Sequence, residues 1–529
     1  MKKILLALLF STLVFCAKAQ LQNINISSTV LAEGEPYLAV NPANHKNMVV
    51  AWMGVTFSGG VRISIKTKAS FDGGQTWSSY HVKPHLSSTW SSADVSMAFR
   101  SDGKLFLCYI DYNAAVDSGG VFVISSADGG VTWASPVKAI DLHEDPSKKP
   151  LDRPWLVVDN SQTVNRGMMY ITSKPAPWIP APCRPYMKTS SDSGQTWSAF
   201  RFVDTTNHFV GNFIQAPMAA NAVTADGAFC AIYPSYVFTQ SPNTQFFLAK
   251  SYNRAASFQY TTVISNPTPV TDTNLKAGYC LRANPANAQQ LAAAFIDNRN
   301  GDPDVFVTST NDGGQTWSSP TRVNKDAVGN GKAQDMVWCD YNDNGDLLVT
   351  WRDRRSGSGS GFYQQPFEAY AAISHNNGSS FVNNIDLSTV LAPFDSALAN
   401  KGNDFMCCKL VSDTVCAVWS DYRTGKLNVF FAKTVDTTVA GIIEVNPEET
   451  EFMEVFPNPA NEKVTIKISS GNYKNCSLIL LDALGKKVFE KRAPGFSETI
   501  SCSGLPAGVY FAQLFVDEFT FVQKFIVNK

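Results

Sequence analysis

The chain has 529 residues, of which 17% are charged and 12% aromatic, with 34 glycines and 27 prolines. Low charge, many rings and abundant turn formers favour numerous short strands and exclude a coiled coil or a mainly disordered chain. A formal net charge of −1 provides no electrostatic drive toward nucleic acid or an anionic membrane, so neither is expected as a partner.

At the N-terminus, Lys2 and Lys3 precede an apolar run from Ile4 to Phe15, and Ala17-Lys18-Ala19 supplies a small-x-small site. This pattern predicts a secretory signal over residues 1–19, cleaved after Ala19. A lipoprotein signal using Cys16 would need a small residue where Phe15 stands. The apolar run is well short of the roughly 20 residues of a membrane span, and no later stretch is long enough, so no transmembrane segment is expected. Export permits disulfides. Cys108, Cys230, Cys280 and Cys416 fall in apolar strand-like runs and read as buried thiols, whereas Cys476 and Cys502 leave a bridge open.

A repeat follows. Ser70-x-Asp72-Gly73-Gly74-x-Thr76-Trp77 recurs as Ser126-x-Asp128-Gly129-Gly130-x-Thr132-Trp133, as Ser190-x-Asp192-x-Gly194-x-Thr196-Trp197 and as Thr310-x-Asp312-Gly313-Gly314-x-Thr316-Trp317. Two softened copies, Ser251-x-Asn253 with Ser257-Phe258 and Ser374-x-Asn376-x-Gly378-x-Ser380-Phe381, place Asn for Asp and Phe for Trp. Glycine supplies the positive φ of a tight turn, Asp accepts backbone N–H groups across it, and Trp packs over the hairpin. The boxes are therefore structural, and none of their Asp residues is expected to be catalytic.

These motifs resemble the Asp-box (bacterial neuraminidase repeat) of the sialidase superfamily, over residues 21 to about 436. Each repeat of about 60 residues also contains three strand-like runs besides the one after its box, which is the signature of a propeller blade. Inner strands are expected to begin near Glu35, Asp94, Arg153, Ala216, Tyr279, Asp335 and Asp404. That count predicts an all-β, seven-bladed β-propeller, with the six blades of the family as the alternative. The last unit has no box, so Gln22–Ser27 is expected to supply its outer strand and close the ring.

Loops joining second to third strands should open on the face opposite the boxes. They carry a second repeat: Phe295-x-Asp297-x-Arg299, Trp351-x-Asp353-x-Arg355 and Trp419-x-Asp421-x-Arg423. The family holds the carboxylate of sialic acid with three arginines, so the resemblance implies Arg299, Arg355 and Arg423 as an anion clamp built from planar, bidentate donors. The same motif at equivalent positions also fits Asp–Arg ties between blades. Glu35, Asp94, Asp152, Asp335 and Asp404, at the starts of the inner strands, supply candidate acid and nucleophile for glycoside hydrolysis, with Arg153 beside them. Where the family's first strand carries an Arg-Ile-Pro motif, Glu35-Pro36-Tyr37 stands here, and Trp52–Gly60, where the family's acid lies, has no carboxylate. Trp178 and Tyr363, in two long aromatic loops of the same face, are candidates for stacking on sugar. Asp340-x-Asn342-x-Asn344-Gly345 lacks the closing Glu of a calcium loop, Trp351 standing in its place. No metal or cofactor is expected.

Acidic residues Glu444–Glu451 mark a linker over 437–455. Phe456-Pro457-Asn458-Pro459, the alternating Val464-Thr465-Ile466-Lys467-Ile468 and Leu505-Pro506-Ala507-Gly508-Val509-Tyr510 then predict a small C-terminal β-sandwich. Residues 456–529 closely resemble the sorting domain of type IX secretion substrates, which implies contact with that machinery and delivery outside the cell or to its surface. The combined expectation is an exported carbohydrate-active propeller, a sialidase-like glycoside hydrolase acting on terminal acidic sugars of a glycan or glycoprotein. The alternatives are a non-catalytic glycan- or protein-binding surface propeller and a hydrolase of a neutral polysaccharide.

Overall fold

The computed structural model describes residues 21–528 except 58–59, 146–150, 176–183, 205–219, 236–244, 269, 271–274, 277, 359–362, 395–402, 437–452, 469–475, 484, 493 and 517–518. The expected leader, most of the expected linker, Trp178 and Ala216 lie outside the described residues. The chain forms two compact units, residues 1–436 and 437–529.

Among the described residues the first unit contains seven four-stranded antiparallel sheets. Blade 1 runs outward through Glu33–Val40, Met48–Phe57, Val61–Ser70 and His81–Val82. The inner strands of blades 2 to 7 are Ser91–Phe99, Leu151–Val158, Ala220–Val223, Tyr279–Ala283, Gln334–Tyr341 and Cys407–Val411. Each lies beside the next, and the seventh returns to the first, so the sheets form a closed β-propeller. Blade 7 takes its outermost strand from the chain's start, with Asn23, Ile24 and Asn25 paired to Ala432, Phe431 and Phe430. Second strands such as Leu291–Asp297 are buried along their whole length. Neighbouring blades cover both faces, which is why such strands read as unbroken apolar runs rather than alternating ones.

The boxes join blades. In the first, Gly74 N and Gln75 N donate to Ser70 Oγ and Asp72 Oδ1, each at 2.9 Å. Gly74 sits at φ +83°, and a Cβ there would lie 2.6 Å from the Phe431 ring of blade 7. Trp77 packs edge-on to the same ring, and Lys433 Nζ donates to Gly73 O at 2.8 Å. Gly313 N donates to Gln289 O at 2.9 Å, in the turn between first and second strands. The boxes therefore share a face with those turns and lie opposite the Asp297, Asp353 and Asp421 corners.

Four rings fill the axis. Trp155 lies 5.9, 5.7 and 5.3 Å from Tyr37, Trp338 and Phe405. These aromatics come from blades 3, 1, 6 and 7 and pack at edge-on and offset geometries favoured by ring quadrupoles.

In the second unit, Met453–Phe456, Lys463–Ile468 and Ser497–Ser501 form one sheet. Lys487–Arg492, Cys476–Asp482, Gly508–Val516 and Phe519–Val527 form the other. Val464, Ile466 and Ile468 alternate inward onto Leu478, Leu480 and Leu514, as period-two strands require. Cys502 is a free buried thiol, so it is not bridged to Cys476. Among the described residues no helix is long and apolar enough to cross a membrane.

Candidate functional site

A shared backbone irregularity builds the mouth opposite the boxes. The ladder between first and second strands shifts register at Gly34/Tyr37, Ala93/Ser96, Asp152/Trp155 and Asp335/Trp338. Within these bulges Glu35, Asp94, Arg153 and Met336 adopt φ values of 54°, 53°, 50° and 55°. Bulges re-aim side chains, and a left-handed non-glycine residue costs about 1–3 kcal/mol that the surroundings must hold in place.

Three of the re-aimed side chains meet. Arg153 Nη1 lies 2.8 Å from Glu35 Oε2 and 3.1 Å from Asp94 Oδ1, while Nη2 pairs with Asp404. Arg153 N donates to Asp94 Oδ2 at 3.1 Å, and Asp152 Oδ1 stands 3.9 Å from Nε. Two lysines complete the group: Lys174 Nζ lies 3.2 Å from Asp152 Oδ2 and Lys276 Nζ 2.6 Å from Asp404 Oδ1. Phe405, part of the aromatic plug, carries the guanidinium on its ring at 5.8 Å.

The carboxyls divide into two states. Burial pushes Asp94 up to about 7 against the pull of Arg153, and its hydrogen bond with Asp152 adds to the rise. Burial likewise raises Glu35 well above the ordinary carboxylate range despite Arg153, with Asp404 and Asp94 reinforcing it. Burial also acts on Asp152, but Lys174 and Arg153 outweigh it and hold that group low. At Asp404 burial is outweighed by Arg153 and Lys276. Two carboxyls of raised proton affinity, Glu35 and Asp94, thus share one guanidinium with two of lowered affinity, Asp152 and Asp404, the kind of environmental separation from which an acid and a base are made.

Asp335 is placed differently. It is fully buried between Arg352, at 2.5 and 2.6 Å, and Arg354, at 3.1 Å. Burial is overcome there by both arginines, so the carboxyl is held far below its ordinary value. Its link to the mouth is indirect: Lys276 N donates to Asp335 Oδ2 at 3.2 Å.

The three corner arginines each pair with the aspartate of their own motif. Arg299 forks onto its own Asp297 at 2.9 and 3.0 Å and lies over Phe306 at 4.7 Å. Arg355 pairs with Asp353 at 2.7 Å and lies over Tyr370 at 4.2 Å. Arg423 pairs with Asp421 at 2.6 Å and lies over Phe430 at 4.3 Å. Arg355 also reaches Asn384 Oδ1, and Arg423 reaches Asn23 Oδ1. Tyr363 packs on Phe394, and its carbonyl accepts from Arg354 Nε at 2.8 Å.

Lys174, Lys276, Arg352 and Arg354 were not singled out by the sequence. The two arginines alternate with Asp353 on one strand end, a signal hidden by the stronger Asp-x-Arg repeat. The lysines carry no motif. Nor does Ser64–His85–Asp111, at the seam of blades 1 and 2, where His85 Nε2 lies 2.8 Å from Ser64 Oγ and Nδ1 2.7 Å from Asp111 Oδ1. These distances match a nucleophilic relay, yet Ser64 is 1% exposed and shares its hydroxyl with Thr56 at 2.7 Å, so the trio braces the seam.

Residues 454–528 match the secretion system C-terminal sorting domain family. In fold, the chain is similar to a Hadza microbial sialidase, with 15% identity and a TM-score of 0.38 over 76% of this chain. It spans 65% of that sialidase's length. It is also similar to an alpha-L-arabinanase of Penicillium chrysogenum complexed with arabinobiose, with 10% identity and a TM-score of 0.41 over 78% of this chain and 98% of that one. A third similar structure is the intramolecular trans-sialidase of Ruminococcus gnavus in complex with oseltamivir carboxylate, with 12% identity and a TM-score of 0.38 over 76% of this chain and 94% of that one. No curated protein matches the chain.

Fold and tail together define a class: a β-propeller protein exported through a C-terminal sorting domain. The sorting domain assigns it to the type IX route, which ends outside the cell or on its surface.

Proposed function

We propose that the propeller is a carbohydrate-active enzyme, a glycoside hydrolase working at the mouth that holds Asp94, Asp152 and Asp404. The observation that carries this reading is the gathering of Asp94, Asp152 and Asp404 around Arg153, where burial pushes Asp94 up to about 7 while the neighbouring cations hold Asp152 and Asp404 low. Asp94 would donate a proton to the leaving glycosidic oxygen. Asp404 would act as base or stabilise the oxocarbenium charge, and Arg153 would fix their separation. Glu35, the most enclosed of the group, would tune Arg153 and Asp94 rather than touch sugar.

For terminal acidic sugars the anion would be met by Lys276 and Lys174, which already face Asp404 and Asp152. A neutral polysaccharide is the second reading. It is favoured by the commitment of Arg299, Arg355 and Arg423 to their own aspartates.

A panel of aryl glycosides incubated with the full chain tests both. Turnover of a sialoside supports the first substrate class and turnover of an arabinofuranoside the second. Saturable glycan binding without release of any aryl group would reduce the protein to a lectin-like module.

A further inference from the structure

The aromatic plug divides the ring axis into two compartments, and the second has its own charge. A cavity of about 450 Å³ opens on the box-bearing face, within the size range of small-molecule sites. Its walls are the ends of the inner strands and the turns after them, among them Pro42, Gln162, Ala225, Pro285, Asp343 and Ser412.

Two cations share one carboxylate at its floor. Lys409 Nζ lies 2.7 Å from Asp340 Oδ1, and Arg282 Nε lies 3.8 Å from the same oxygen. Asp340 Oδ2 is occupied by Leu410 N at 3.1 Å, so that carboxylate has little left to offer. The Arg282 guanidinium is stacked over Trp338 at 5.1 Å and donates from Nη1 to Leu281 O at 2.8 Å. Among the described residues its Nη2 has no protein acceptor. At the rim His45 and Asp343 face each other at 3.9 Å with side chains 40% and 82% exposed, where solvent screens them. At the floor two cations thus face one carboxylate, with the Cys280 thiol beside Arg282, in a concave and partly desolvated place.

We infer that this box-side cavity is a second binding site, taking a small organic carboxylate of monosaccharide size. The carboxylate would complete the Arg282 fork and approach Lys409 as a charge-assisted hydrogen-bond acceptor. A single inorganic oxyanion would satisfy the charge but leave most of the cavity filled by water. The site is independent of the mouth chemistry, because Tyr37, Trp155, Trp338 and Phe405 stand between them.

Titration calorimetry on the full chain tests it with three probes: glucuronate, glucose and inorganic phosphate. The expected result is one glucuronate per chain, with glucose and phosphate each weaker by about tenfold or more, the worth of one charged hydrogen bond. Lys409→Gln should weaken glucuronate by about tenfold, and Asp340→Asn, which removes the competing carboxylate, should tighten it. Any glycoside turnover should be unchanged in Lys409→Gln. Glucose or phosphate binding as tightly as glucuronate would overturn the inference. So would glucuronate binding that is absent, or indifferent to both substitutions. Lys409 is partly exposed, so its variant decides alone if Asp340→Asn fails to fold.

Discussion

Arg153 of blade 3 and Asp404 of blade 7 form an ion pair across the ring axis, although blades 1 and 2 stand between them in the circle. The same guanidinium holds Glu35 of blade 1 and Asp94 of blade 2. One cation thus cross-links four blades, and its removal leaves the buried Glu35 without its ionic partner and takes a partner from Asp94 and Asp404. Arg153→Met should cost about 3–5 kcal/mol of stability, the range for breaking a buried ion pair from one side. Urea unfolding of the full chain measures it, and a loss under about 1 kcal/mol, the size of a surface pair, would contradict the assignment.

Stability should depend on pH with a definite sign. Asp94 binds its proton more tightly folded than unfolded, so its contribution is complete below the ordinary 3.8 and is lost as pH rises through about 7. Glu35 is shifted in the same direction. Asp152, Asp404 and Asp335 are shifted the other way, so their contributions are lost as pH falls below the ordinary carboxylate range. As far as these five groups decide it, the melting temperature should therefore peak near the ordinary carboxylate values. Asp94→Asn, which keeps a donor toward Asp152, should flatten the decline on the alkaline side of that peak, where one group accounts for at most about 1.4 kcal/mol per pH unit.

Arg355 separates two accounts of the corner motif. Its guanidinium is held by Asp353 and Asn384 and lies over Tyr370. Arg355→Ala should therefore lower stability by about 1–3 kcal/mol while leaving turnover per folded molecule intact. Abolished turnover at an unchanged melting temperature would instead restore the arginine as an anion-binding group.

At the box of blade 1, Gly74→Ala puts a methyl 2.6 Å from Phe431 at a φ of +83°. Backbone strain and overpacking together should cost about 2–4 kcal/mol. Gly425→Ala, also at positive φ but with nothing within 4 Å, isolates the strain alone and should cost less. Differential scanning calorimetry of the two variants reads the difference.

Much of this architecture was legible because it repeats. The boxes at Asp72, Asp128, Asp192 and Asp312 and the unbroken apolar second strands announce sheets of one kind. The missing box in the last unit pointed to a borrowed strand, found at Asn23–Asn25. Glu35, Asp94 and Arg153 were legible as a set because they open successive inner strands. That they meet was not legible, since convergence depends on the bulges and on left-handed φ values that no residue type there announces. Arg299, Arg355 and Arg423 illustrate the opposite problem. Their Asp-x-Arg spacing specifies a self-contained fork as readily as an open clamp, and only the side-chain direction distinguishes the two. Asp335 looked equivalent to Asp94 by position, yet Arg352 and Arg354, from the neighbouring strand, change its electrostatics entirely.

The central claim, a proton-donating Asp94 at a glycan-processing mouth, is tested most directly by the pH–rate profile of aryl glycoside hydrolysis for the intact chain and for Asp94→Asn. Activity in the unsubstituted protein should fall as pH rises through about 7, and Asp94→Asn should lose turnover while keeping its fold and its glycan binding. An unaltered rate and profile in Asp94→Asn would contradict it.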